Sequence, residues 1–69
     1  MNNIDVREYI ISNFKGDTAK EIEEAINVTI ESKAEDPLIG LGVLFELMWK
    51  NSDNTTKNNI IKSIRKGLN

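Results

Sequence analysis

The chain has no cysteine and no histidine. The first absence excludes disulfides, thiolate zinc sites and thiol nucleophiles. The second removes the side chain best suited to proton transfer near neutral pH. Acid–base work would fall to carboxylates, and helical spacing turns most of Glu21, Glu23, Glu24 and Glu31 toward water. No calcium-loop pattern is present. Gly40 and Gly42 lack the lysine and hydroxyl that a phosphate-binding glycine loop requires. We therefore expect no enzyme, no catalytic residue, no cofactor and no metal. Proline occurs once and aromatic residues are few: one Trp, one Tyr and two Phe. No apolar stretch is long enough to cross a bilayer, and the N-terminus lacks the basic flank of a signal peptide.

What remains is a chain of 69 residues and 7.8 kDa, 39% hydrophobic, with a formal net charge of −2. That length suits one helical domain over 1–69 and no second one. The overall charge makes no case for nucleic acid or anionic lipid. Its distribution is uneven. Residues 1–49 hold 4 basic and 10 acidic side chains, a net of −6, whereas residues 50–69 hold 5 basic and 1 acidic, a net of +4.

Periodicity and capping residues divide the chain into four helices with no strand candidate. Asp5 and Glu8 are spaced as a capping box, with Ile4 and Tyr9 placed as a hydrophobic staple around it. Val6, Ile10, Ile11 and Phe14 then share one face, and Gly16 is a natural stop. Thr18 and Glu21 form a second capping box before the stripe Ile22, Ala25, Ile26, Thr29 and Ile30. Pro37 ends that helix by about Ala34. Asp36 and Pro37 read as the N-cap and first residue of a third helix, at about 36–50. Asp53 or a nearby hydroxyl caps the fourth, whose narrow apolar edge is Ile60, Ile61, Ile64 and Leu68. Its asparagines lower its intrinsic helicity, so it must borrow stability from packing, and Gly67 should stop it. The fold class is all-α: a small bundle of three to four short helices.

The third helix is the most apolar element. Leu38, Leu41, Leu44, Phe45, Leu47, Met48 and Trp49 cover roughly 200° of its wheel, against the usual stripe of about 100°. Either the other helices wrap it closely or a second copy covers it. A core this small leaves little margin, so a homo-oligomer is an open expectation. Gly40 falls inside the apolar arc, where a missing side chain would let another backbone approach; Gly42 lies on the polar strip with Glu46 and Lys50. Arg7 and Asn13 fall inside the apolar arc of the first helix, where an unpaired charge is costly. Arg7 either pairs with Glu46 or caps a carbonyl, setting how the first and third helices dock, or it snorkels to water while Glu46 pairs with Lys50.

The stretch Pro37-Leu38-Ile39-Gly40-Leu41-Gly42-Val43-Leu44-Phe45-Glu46-Leu47-Met48-Trp49-Lys50-Asn51 resembles the signature of the small acid-soluble spore protein I family. Asp5 to Gly16 is similar to that family's opening region. The resemblance implies a minor protein made in the developing forespore and stored in the spore core of endospore-forming bacteria. It supplies context and no molecular activity. The chain departs from the family in its last helix, which carries Lys57, Lys62, Arg65 and Lys66 where relatives are often more acidic.

The residues and the resemblance together point to a non-enzymatic sporulation protein acting by packing and protein contacts. Arg7, Asn13, Gly40, Gly42, Glu46 and Trp49 are its candidate structural or interaction residues. A weak nucleic-acid module is an alternative, using Lys62, Arg65 and Lys66, which share an outward arc. No aromatic accompanies them for base stacking, which argues against nucleic acid as a partner. An amino-acid store for outgrowth is a third reading. No membrane partner is expected, and the sequence names no other spore protein as one.

Overall fold

A computed structural model describes residues 5–69. Among these the chain forms four α-helices and no strand: α1 (Val6–Phe14), α2 (Ala19–Ser32), α3 (Leu38–Lys50) and α4 (Asn54–Leu68). Each boundary has a local cause. The Glu8 amide donates to the Asp5 carboxylate at 3.2 Å, which starts α1. The return half of that box is absent, and Ile4 of the proposed staple lies outside the described residues. Gly16 ends α1 with φ of 98°, a conformation that costs glycine nothing. At α2 the box is complete: Glu21 N donates to Thr18 Oγ1 at 3.2 Å, and Thr18 N donates to Glu21 Oε1 at 2.8 Å. Lys33, with φ of 57°, turns the chain out of α2.

Two expected boundaries need correction. Asp36 does not cap α3 with its side chain, and Pro37 precedes the helix instead of opening it. The chain enters α3 through a tight turn, in which Leu38 N donates to the Glu35 carbonyl at 3.0 Å. Backbone carbonyls therefore take the first free amides of the helix. Gly67 does not stop α4, which runs on to Leu68. Gly67 keeps a negative φ. A glycine permits a helix stop without forcing one, and Gly67 keeps to the helix.

α3 is the central element, with α1 and α2 packed on it. Val43, 6% exposed, is the one buried apolar residue among those described, and it lies on the α1 side beside Val6, Ile39 and Gly42. Phe45 and Met48 lie on the opposite side of the helix and remain about 40% exposed. The expectation that three neighbours wrap α3 closely is therefore not met within one chain. α4 likewise borrows little: Ile60 is half-buried, while Ile61, Ile64 and Leu68 are exposed. The radius of gyration is 13.7 Å, compared with about 11 Å for a tightly packed domain of this length. The helices are arranged as an open assembly around α3.

Candidate functional site

Two features of α3 carry what chemistry the chain has: an ion pair on one side and an apolar face on the other. The ion pair joins α1 to α3. Arg7 Nε donates to Glu46 Oε1 at 2.7 Å, and Arg7 Nη2 donates to Glu46 Oε2 at 2.8 Å. A planar guanidinium meeting a carboxylate through two parallel bonds fixes both distance and rotation. The capped start of α1 presents Arg7 one residue after Val6, so that Val6 touches the apolar side of α3 while Arg7 reaches Glu46. The side chains are 66% and 39% exposed, so water screens the attraction and the bond orients more than it stabilises.

The hydrogen bond from Arg7 holds the Glu46 carboxyl below its ordinary pKa, aided by the charges of Arg7 and Lys50 and opposed by partial desolvation. Asp53 is lowered too, chiefly by accepting from the Thr56 amide at the start of α4. Because both groups bind protons less readily folded than unfolded, their contribution is present above the unfolded pKa. It is lost as the pH falls through the lower folded value. Thermal melts followed by circular dichroism should show a falling midpoint as the pH drops below about 4.5. Glu46→Gln should flatten part of that slope. An unchanged slope in the variant would show that the pair does not contribute.

The other side of α3 is a ridge of Phe45 and Met48 between two apolar grooves. The groove toward α2 is lined by Ile22, Ile26, Leu41 and Leu44 together with the ridge. The groove toward α4, about 420 Å³, is lined by Thr56, Asn59, Ile60, Ser63 and Ile64 together with the ridge. Trp49 fastens the α4 side. Its ring stacks on Phe45, one turn back, at 5.7 Å between centroids, and the Lys57 ammonium lies 5.1 Å from the Trp49 ring. Placing a cation on an indole face is favourable, and it sets where α4 leaves α3.

The six candidate contact residues separate. Arg7 and Glu46 meet, and Trp49 organises the α3–α4 corner. Asn13 is exposed, because the arc of α1 that holds it is not a buried one. Gly40 and Gly42 permit no close approach within the chain: a Cβ at either would meet nothing within 4 Å. The helices stand too far apart there for a small residue to be needed. Lys62, Arg65 and Lys66 are exposed on α4 with no ion-pair partner among the described residues.

Sequence reasoning missed the end of α3. Asn51 Nδ2 donates to the Leu47 carbonyl at 2.8 Å, and Ser52 Oγ donates to the Met48 carbonyl at 2.6 Å. These side chains satisfy carbonyls left free at a helix C-terminus. The cue was present: two short polar residues directly after Lys50 and before the next N-cap.

The geometry thus defines a small all-α protein with an apolar face flanked by an acidic and a basic helix. The family model described as Small, acid-soluble spore protein I matches residues 4–68, and the chain belongs to that family of sporulation proteins. A Small, acid-soluble spore protein I of Shouchella clausii is 42% identical over 64 residues, covering 93% of each chain. That of Bacillus cytotoxicus is 36% identical over 66 residues, or 96% of this chain and 94% of the relative. That of Bacillus cereus is 38% identical over 63 residues, or 91% of each. No solved structure matches. No helix among the described residues is long and apolar enough to cross a membrane.

Proposed function

We propose that this protein is a non-enzymatic component of the spore core, folded as one domain, that works by making protein contacts through the open face of α3. The observation that carries the reading is the Phe45–Met48 ridge with its flanking grooves. Apolar surface of this kind on one contiguous face marks an interaction site. The family to which the chain belongs supports the spore setting. A photoactivatable residue at Met48 in sporulating cells tests it. The reading expects protein adducts, resistant to nuclease, in the core fraction of decoated spores. Adducts that nuclease removes, or none at all, would reject it.

The exposed row Lys62, Arg65 and Lys66 supports a second reading, a nucleic-acid contact by α4. That reading requires duplex binding that weakens steeply with salt. Absence of binding at low salt removes it.

A further inference from the structure

From the charges beside the open face, we infer that its occupant is a second copy of this chain, related by a two-fold axis along the Phe45–Met48 ridge. The inference rests on the protein-contact reading and adds the identity of the partner.

Three observations carry it. The first is charge. α2, on one side of the ridge, holds Glu21, Glu23, Glu24 and Glu31 against Lys20 alone. α4, on the other side, holds Lys57, Lys62, Arg65 and Lys66 and no acid. No ion pair joins the two helices within the chain among the described residues. Rotation about an axis along the ridge lays α2 of each copy against α4 of the other. Each copy then supplies what the other lacks, which is the self-complementarity that a two-fold interface demands.

The second is area. The chain exposes 6099 Å², whereas a monomer of its mass typically exposes about 4,400 Å². The excess is about twice the roughly 800 Å² per partner that a standard interface takes up. Part of the exposed apolar surface lies on this face: Phe45 and Met48 on the ridge and Ile64 beside the groove toward α4 are each about 40% exposed.

The third is the shape of the face. Two grooves share one ridge. An axis along the ridge sets ridge against ridge, and the groove toward α2 of each copy opposite the groove toward α4 of the other.

Sedimentation equilibrium on the full chain tests the inference with two exposed charge-reversal variants. One carries Glu23→Lys with Glu24→Lys; the other carries Lys62→Glu with Lys66→Glu. The native chain should sediment at twice 7.8 kDa. Each variant should dissociate at least about tenfold more readily, because like charges would face each other twice. An equimolar mixture of the two should return to the dimer, since every facing pair is then opposite in sign. Circular dichroism confirms that both variants keep their helices. A native chain that stays monomeric at about 500 µM, well above ordinary dimer affinities, overturns the inference. Variants that associate as tightly as the native chain, or a mixture that stays dissociated, overturn it as well. A monomeric chain that still forms protein adducts in spores would reject the second copy while leaving the contact reading standing.

Discussion

Val43→Asp should abolish the cooperative thermal transition of this protein. Val43 is the buried apolar residue of α3 and faces the α1 side of the assembly. A carboxylate there has no cation at its depth, because Arg7 is already committed to Glu46. An unpaired buried charge costs several kcal/mol. A folded chain of this length has about 3–10 kcal/mol in total, so the substitution consumes most or all of it. Val43→Ala separates burial from charge. It removes two methyl groups and should cost about 1.5–2.5 kcal/mol, with a lower midpoint but an intact transition. If Val43→Asp melted at the native temperature with native ellipticity, α1 would not be docked on α3 through this residue.

The double substitution Gly40→Ala and Gly42→Ala should act in the opposite direction. Glycine inside a helix is disfavoured by about 1 kcal/mol relative to alanine, chiefly through the backbone freedom it has when unfolded. Both positions lie within α3, both have helical backbone, and a Cβ at either meets nothing within 4 Å. The gain of about 1.5–2 kcal/mol should raise the melting midpoint by roughly 6–16 °C. A fall in the midpoint would show that another backbone occupies that space in solution. Repeating the melt at high and low protein concentration identifies whether that backbone belongs to a second copy.

How much of this was legible beforehand differs by element. Thr18 with Glu21, and Asp53 three residues before Thr56, are short-range signals, and both appear as hydrogen bonds at the expected positions. Such caps depend only on neighbours along the chain, so they read directly. The start of α3 was misplaced because Asp36-Pro37 permits two local solutions. The turn through Glu35 won by using backbone acceptors. Gly67 misled for the same reason: glycine permits a stop without forcing one. The roles of Asn51 and Ser52 went unread because their partners are carbonyls within the preceding helix, a contact that exists only after α3 has formed.

The Arg7–Glu46 contact was one of several possibilities the chain offered. Glu46 has Lys50 one turn away, and no pattern along the chain ranks a partner 39 residues distant against one four residues distant. The rotation of α1 against α3 decided between them, bringing the guanidinium within 2.8 Å of both carboxylate oxygens. Bidentate geometry then outweighs the more flexible ammonium. The cation on the Trp49 ring is of the same kind. Lys57 belongs to the next helix, and only the angle at which α4 leaves α3 lays it there.

The order of amino acids by itself determined the all-α class, the four helices, the apolar character of α3 and the split of charge between the two ends of the chain. These follow from propensity, capping and composition, which act over a few residues. Only the tertiary structure decided which side of α3 is enclosed, that Arg7 reaches Glu46, and that the ridge of Phe45 and Met48 stays open between an acidic helix and a basic one. Those outcomes depend on how rigid helices are placed against each other in space. That placement is settled by the sum of many weak contacts between distant residues, to which no single stretch of the chain holds the key.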